Sequence, residues 1–215
     1  MIYILGAGSM ARMTLTIYRV ASRFDEVAGF IEEDCQRVDS IIRGKPIMNA
    51  SVINTLPKNS IFIGAMGSPR KKRWIEEIES KGFDFDTLIH PSVIMGDLVN
   101  IGKGCIICPG VILTCNVEIG KHSIINSNTT INHDFTIGNF VTVGPGTNIA
   151  GNVTIGDECW ISIGVTIIGR VSVGKGSYIG AGAVVTKDIP ENVLAIGVPA
   201  KPVRELTESD WIELI

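Results

Sequence analysis

Apolar residues recur at every sixth position between residues 89 and 186 of this chain. Seventeen successive steps of six meet an aliphatic side chain or methionine: Ile89, Met95, Ile101, Ile107, Leu113, Ile119, Ile125, Ile131, Ile137, Val143, Ile149, Ile155, Ile161, Ile167, Val173, Ile179 and Val185. Such residues form roughly a third or less of an ordinary chain, so the unbroken run is not chance. A fixed six-residue period is typical of hexapeptide repeats and predicts a parallel β-helix over residues 89–190.

A second phase, four residues after the first, carries small or β-branched side chains such as Val111, Thr129 and Val153. These side chains suit the interior of a narrow three-sided prism. Glycines follow many of the aliphatic residues, as at Gly120 and Gly156, and we expect them to form corners with positive φ. Three hexads make one coil, so residues eighteen apart should stack about 4.8 Å apart on successive coils. The pattern does not set the handedness of the coil.

The first 88 residues have a different pattern, in which short apolar strands alternate with helical segments. Strands are predicted at 2–5, 27–31 and 60–65, helices at about 10–22 and 49–56, and a turn at Gly44-Lys45-Pro46. This order predicts an α/β domain with a small Rossmann-like parallel sheet of three or four strands. Because the segment is about half the size of a full dinucleotide domain, we expect a mononucleotide or sugar nucleotide rather than NAD.

A glycine-rich loop joins the first strand to the first helix. Gly6, Gly8 and Ser9 lie in this loop, where backbone N–H groups can approach a phosphate at the helix N-terminus. Glu32 and Glu33 close the second strand, where a carboxylate can hold a ribose hydroxyl. We assign these five residues to substrate binding. Two alternatives stay open, a tight turn that binds nothing and an NAD-binding protein.

A second candidate anion site surrounds the third strand and the helix after it. Gly64 lies at the end of the strand, and Ser68 and Pro69 suit the start of a helix. Four basic residues follow, beginning with Arg70. Positive charge in the first helical turn opposes the helix dipole, and a bound anion would remove that conflict. We therefore assign Gly64 and Arg70 to substrate binding, the alternative being a solvated basic face.

The end of the chain, residues 191–215, is predicted to form an exit turn and a capping tail. The turn is Gly197-Val198-Pro199-Ala200-Lys201, and the polar–apolar pattern after Val203 predicts a short helix over the open end of the β-helix. The predicted domains are therefore 1–88, 89–190 and 191–215.

One histidine of the repeat lies at an outward or corner phase. In steps of eighteen, the column through His133 continues to Gly151, Gly169 and Lys187. The two glycines leave a groove and expose backbone N–H groups beside the imidazole. A base next to a free amide is the arrangement that acyl transfer needs, and Asp134 follows the histidine directly. We predict His133 to be catalytic, against the alternative of a surface histidine in a local turn.

Other side chains compete less well for the catalytic role. His122 lies at a corner of the repeat and His90 precedes a proline at the domain junction. Cys115 lies one coil below His133 and offers a Cys–His nucleophilic pair as an alternative. The spacing of Cys105 and Cys108 suggests metal, but the two residues occupy different phases and should point apart, so we expect no metal site.

Bulk properties exclude several classes of function. The 215 residues carry a formal charge of −3, so the chain lacks the overall excess of basic residues that is typical of nucleic-acid-binding proteins. No apolar run reaches the roughly 20 residues that span a bilayer, and no basic segment precedes the first strand as in a signal peptide. Five cysteines, an odd number, without an export signal favour reduced thiols and a cytoplasmic location.

Several longer motifs resemble those of the hexapeptide-repeat acyltransferases. They are Asn132-His133-Asp134, residues 150–156 (Ala-Gly-Asn-Val-Thr-Ile-Gly), residues 179–190 (from Ile-Gly-Ala-Gly-Ala to Asp-Ile-Pro) and Gly197-Val198-Pro199-Ala200-Lys201. Together with the Gly6 loop, nearly the whole chain resembles the sugar acyltransferase family that includes sialic acid O-acetyltransferases and nucleotide-linked amino-sugar N-acetyltransferases. The resemblance implies a left-handed β-helix and a homotrimer with its active sites between subunits.

The resemblance also implies the reaction and further site residues. Acetyl-CoA would lie in the groove between neighbouring β-helices, near Gly151, Gly169, Gly180, Ala181 and Lys187. The N-terminal domain would hold the nucleotide of an activated amino sugar, with Asn126 near the acceptor, His133 as general base and Asp134 polarising it. Many amino-sugar members carry a second histidine near the acetyl group where this chain has Thr142, and we expect its hydroxyl to substitute there. O-acetylation of a sialic acid or related sugar is the alternative reaction, and a non-catalytic sugar-nucleotide-binding trimer is the alternative outside the enzymes.

Overall fold

The computed structural model describes residues 1–33, 40–68, 71–207 and 210. These residues form an N-terminal α/β unit that packs against one face of a parallel β-solenoid. Two helices and six strands make up the α/β unit: α1 (Ser9–Val20), α2 (Lys71–Ser80), β1 (Ile2–Leu5), β2 (Val27–Glu32), β3 (Ile41–Ile42), β4 (Lys45–Asn49), β5 (Ile61–Gly64) and β6 (Asp84–Phe85). Short 3-10 helices span Phe24–Glu26 and Ala50–Thr55.

The α/β unit is built on a sheet with the strand order β3-β4-β2-β1-β5-β6. All neighbours are parallel except β3 and β4. The predicted turn at Gly44-Lys45-Pro46 is wrong in its extent. Arg43 and Gly44 form the hairpin turn, with φ of +48° and +81°, and Lys45 already begins β4.

The solenoid has three sheets, each receiving one strand per coil. The first sheet contains β7 (Leu88–Ile89), β10 (Ile106–Ile107), β13 (Ile124–Ile125), β16 (Thr142–Val143), β19 (Trp160–Ile161), β22 (Tyr178–Ile179), β24 (Val193–Gly197) and β25 (Ala200–Glu205). The second contains β8 (Ile94–Met95), β11 (Ile112–Leu113), β14 (Thr130–Ile131), β17 (Asn148–Ile149), β20 (Thr166–Ile167) and β23 (Val184–Val185). The third contains β9 (Val99–Ile101), β12 (Val117–Ile119), β15 (Phe135–Ile137), β18 (Thr154–Ile155) and β21 (Ser172–Val173).

The eighteen-residue repeat sets the register of these sheets. Ile107 pairs with Ile89 on one side and with Ile125 on the other, both in parallel. The aliphatic phase therefore forms one continuous core, as predicted, and Ile107 and Ile125 are fully buried. Met95 belongs to the same phase but is 47% exposed, because β8 is the edge strand of its sheet.

The corner glycines behave differently from the prediction. Gly120 and Gly156 are absent from the positive-φ positions, and their role is steric, since a Cβ at Gly120 would lie 2.5 Å from the backbone of Gly138 on the next coil. Positive φ instead occurs two residues later, at a phase that includes His122 and Asp134. The glycines after the aliphatic residues thus permit close stacking of coils, and the residue two positions on makes the turn.

The segment directly after the solenoid is a hairpin, and Val203, where the predicted tail helix was expected to begin, lies in its second strand. A turn with a cis Val198–Pro199 bond joins β24 to β25, which pairs antiparallel with it up to Glu205. The predicted helical residues 211–215 lie outside the described part of the chain.

The α/β unit contacts the first sheet of the solenoid through both apolar and charged residues, and this interface is called the seam below. An apolar cluster joins Ile4 and Leu15 of the unit to Ile106 and Ile124 of the solenoid. The Lys72 Nζ atom lies 2.9 Å from Glu158 Oε1 across the same seam. These contacts set the position of the α/β unit relative to the coils of the solenoid.

Candidate functional site

The His133 imidazole and the Asp134 carboxylate lie side by side at a corner of the solenoid. Adjacent residues of an extended strand point to opposite faces, but Asp134 has a φ of +54° and turns the chain. Its Oδ2 atom therefore lies 2.8 Å from Nδ1 of His133, and both side chains are about half exposed. With Nδ1 protonated and bound to the carboxylate, Nε2 is left as the proton acceptor.

Asn116, one coil below, completes this corner and was missed by the sequence analysis. Its Nδ2 donates to Asp134 Oδ1 at 2.6 Å. The hydrogen bonds from Asn116 and then from His133 hold the pKa of Asp134 below its ordinary value, so the carboxylate is ionised at neutral pH. The eighteen-residue spacing between Asn116 and Asp134 was the sequence signal that could have found it.

The coil above leaves room for the imidazole. A Cβ at Gly151 would lie 2.5 Å from Cε1 and 2.7 Å from Nε2 of His133, so only glycine accommodates the ring in this position. The Gly151 carbonyl accepts from Arg170, and its N–H donates no hydrogen bond to any residue that the structure describes. His133, Gly151 and Gly169 thus stack on successive coils, as predicted.

The other histidines have structural surroundings. His122 is buried, stacks on Phe140 at 5.1 Å between ring centroids and lies 3.2 Å from Glu79 Oε1. Burial lowers its pKa below the ordinary value. The His90 ring bonds Ser92 Oγ at 2.8 Å.

The described cysteines are free thiols and form no disulfide bonds with one another. Cys105 is buried in the solenoid core and Cys108 in the seam cluster, so they point apart as predicted. Cys115 is an exposed free thiol. Among the described residues no group of three or more His, Cys, Asp or Glu side chains could hold a metal ion.

A cleft of about 350 Å³ opens at the carboxyl end of β1. Five of the predicted substrate residues line it, Gly6, Gly8, Ser9, Glu32 and Glu33, and the remaining wall is Met10, Ala65, Met66, Gly67 and Trp74. Glu32 Oε1 accepts from the Ala7 N–H at 2.5 Å, so the carboxylate already holds one of the loop donors.

Gly64 and Asn126 were also predicted to bind substrate, and neither is among the described residues that line this cleft. A Cβ at Gly64 would lie 2.6 Å from Ile75 Cδ1, so this glycine lets α2 pack on β5. Arg70 lies outside the described residues. Asn126 is in the solenoid, where its Nδ2 donates to the Val143 carbonyl at 3.1 Å.

The predicted acetyl-CoA residues occupy several surfaces of the solenoid. Ala181 and Lys187 are exposed, and Gly180 contacts the hairpin, where a Cβ would lie 2.6 Å from Ile196 Cγ2. Thr142 is buried in β16 on the first sheet, and its hydroxyl donates to the Gly67 carbonyl at 2.5 Å. Within one chain the Thr142 hydroxyl therefore takes part in the seam between the α/β unit and the solenoid.

In the part of the chain described here, no helix has the length and apolar character needed to cross a membrane.

Comparison with known proteins supports a relationship over nearly the full length. Residues 152–187 match the family model of the bacterial transferase hexapeptide, six repeats. No curated protein matches the sequence.

Three solved structures share the whole architecture. A histidine-to-asparagine mutant of perosamine N-acetyltransferase from Caulobacter crescentus, in complex with CoA and GDP-perosamine, is 29% identical with a TM-score of 0.89, covering 95% of this chain and 97% of that one. WeeI from Acinetobacter baumannii AYE is 27% identical, with a TM-score of 0.86 and coverage of 94% and 99%. The acetyltransferase domain of PglB from Neisseria gonorrhoeae FA1090, in complex with acetyl coenzyme A, is 26% identical, with a TM-score of 0.85 and coverage of 94% and 98%. The chain contains hexapeptide repeats and resembles, along nearly its whole length, solved sugar N-acetyltransferases.

Proposed function

We propose that this chain is an acetyl-CoA-dependent N-acetyltransferase that acts on the amino group of a nucleotide-linked amino sugar. The observation that carries the proposal is the His133–Asp134 pair at a corner of the β-solenoid, with 2.8 Å between Nδ1 and Oδ2. The absence of a side chain at Gly151 leaves room for the imidazole ring. The likeness to perosamine N-acetyltransferase, which was solved with CoA and GDP-perosamine, supports both substrates.

The proposed step is direct transfer in a ternary complex. The amine nitrogen attacks the thioester carbonyl carbon while His133 Nε2 accepts the amine proton, and the C–S bond then breaks to release CoA, whose sulfur takes that proton from His133. The Gly151 N–H donates to the oxyanion that forms on the carbonyl oxygen. Asp134 stabilises the protonated imidazole, as the third group does in other nucleophile–base pairs.

The glycine-loop cleft is the proposed nucleotide site. Its volume of about 350 Å³ is at the small end for ligand pockets, which suits part of a sugar nucleotide. Glu32 already bonds the Ala7 N–H, so it offers its second carboxylate oxygen to a ribose hydroxyl, and a phosphate must use the other loop N–H groups. We assign domain 1–88 as a Rossmann-like sugar-nucleotide domain, 89–190 as a left-handed β-helix and 191–215 as a terminal cap.

Acetyl-CoA is placed along the groove past Gly151, Gly169, Gly180, Ala181 and Lys187. In the proposed homotrimer a neighbouring β-helix closes this groove over His133, whose imidazole is 52% exposed in one chain. We propose a cytoplasmic location for this reaction. Thr142 is left out of this groove, since its hydroxyl is engaged by Gly67.

The test is a CoA-thiol release assay with acetyl-CoA and a panel of nucleotide-linked amino sugars and sialic acids. We expect release with an amino sugar nucleotide, and a fall in kcat of at least a hundredfold in His133→Ala, about 2.7 kcal/mol of activation free energy, with acetyl-CoA still binding. Release with sialic acids alone would favour O-acetylation. Near-normal turnover of the variant would remove His133 from the mechanism.

A further inference from the structure

The Asp134 carboxylate is held from two sides, and each oxygen has its own partner. Oδ2 lies 2.8 Å from His133 Nδ1, and Oδ1 accepts from Asn116 Nδ2 at 2.6 Å. Both contacts involve an ionised group, which makes them stronger than hydrogen bonds between neutral groups. The two contacts together define the rotation of the carboxylate about its Cβ–Cγ bond.

The position of Asn116 is set by the backbone of the solenoid. Asn116 and Asp134 occupy the same corner on successive coils, with φ of +53° and +54°, a region that Asn and Asp tolerate better than most residues. The Phe135 N–H donates to the Asn116 carbonyl at 3.1 Å and locks the two coils in register. The amide therefore reaches Asp134 from a corner turn whose backbone is hydrogen-bonded to the next coil.

We propose that Asn116 is a positioning residue for the reaction, acting on His133 through Asp134. By occupying Oδ1, its amide directs Oδ2 toward Nδ1 of the imidazole, which keeps the proton on Nδ1 and leaves Nε2 free as the base. The inference rests on the proposed function, because it assumes that His133 is the general base. The hydrogen bond from Asn116 is also the largest cause of the lowered pKa of Asp134.

Two substitutions separate this role from a structural one. Asn116→Asp keeps the shape and the tolerance of positive φ, but at neutral pH it has no donor and places a second negative charge against Asp134. Asn116→Gly removes the side chain at no conformational cost to the turn. We expect both to lower kcat by about tenfold or more, a fraction of the 10²–10⁴ that general base catalysis contributes, with the KM for both substrates unchanged.

The chain contains a control with the same eighteen-residue spacing in the third sheet of the solenoid, between strands β9 and β12. Asn100 Nδ2 donates to Glu118 Oε1 at 2.6 Å, also eighteen residues apart and on exposed side chains, but outside the His133 corner. Asn100→Asp creates the same charge repulsion between coils, and its kcat should stay within twofold of wild type. If both Asn→Asp variants lose activity equally, the effect belongs to the stability of the solenoid and the proposal is overturned.

A spectroscopic readout makes the test independent of turnover. Nitrogen-15 NMR of the His133 ring at neutral pH should report the Nδ1–H tautomer in the wild type and a shift toward a mixture in Asn116→Asp, with no shift in Asn100→Asp. An unchanged tautomer together with unchanged kcat overturns the role of Asn116 while the proposed function stands. If wild type transfers no acetyl group to any amino sugar nucleotide, the proposed function fails, and the NMR result alone decides whether Asn116 sets the tautomer.

Discussion

Gly151→Ala is the substitution that most directly tests the geometry of the candidate site. The new Cβ would lie 2.5 Å from His133 Cε1, whereas ordinary van der Waals contact begins at 3.4 Å, so the ring must move by about 1 Å. The backbone at Gly151 does not have positive φ, so alanine brings no strain of its own there. The imidazole is 52% exposed and can swing into solvent, so we expect stability to change by less than about 0.5 kcal/mol.

The catalytic consequence should be much larger than the change in stability. A misplacement of about 1 Å can cost about a hundredfold in rate, or about 2.7 kcal/mol of activation free energy. The loss should appear in kcat, with the KM for acetyl-CoA unchanged, in an assay of CoA release at saturating sugar nucleotide.

A double variant separates ring displacement from obstruction of the CoA groove. In a His133→Ala background there is no ring to displace, so adding Gly151→Ala should cause no further loss. The reasoning is refuted if Gly151→Ala retains a kcat within threefold of wild type, or if it raises the KM for acetyl-CoA equally in both backgrounds.

Two further predictions concern the seam between the α/β unit and the solenoid. Burial lowers the pKa of His122 below its ordinary 6.5, so the unfolded state takes up the proton first, and the stability present above that pH is lost as the pH falls below it. Urea unfolding at pH 7.5 and 5.5 should show a smaller pH dependence in His122→Asn, which does not titrate and tolerates the φ of +55°; an equal dependence would assign the titration elsewhere. Thr142→Val leaves the half-buried Gly67 carbonyl without its donor and should cost about 0.5–1.5 kcal/mol of unfolding free energy with an unchanged KM for acetyl-CoA. A raised KM at unchanged stability would instead return Thr142 to the acetyl-CoA site.

The sequence by itself determined the solenoid. Each coil repeats the same six-residue pattern of apolar residues, so one atypical residue does not change the prediction. The spacing of eighteen residues predicts that Gly151 lies above His133, since a rigid prism converts distance along the chain into distance in space. The glycine loop and Glu32 were likewise predictable, because carboxyl ends of parallel strands meet at one edge of a sheet.

Only the tertiary structure decided the contacts that cross between coils or between the two parts of the chain. Adjacent residues of an extended strand point to opposite faces, and only the structure shows that the positive φ of Asp134 brings its carboxylate to His133. Thr142 bonds Gly67, 75 residues away in the α/β unit, and no repeat spacing connects those two positions. Asn116 and Asp134 are one repeat apart, but only the structure shows that their side chains meet. A hexapeptide period records which side chains face inward; the outward side chains carry the chemistry, and their partners are set by how the coils stack and where the α/β unit docks.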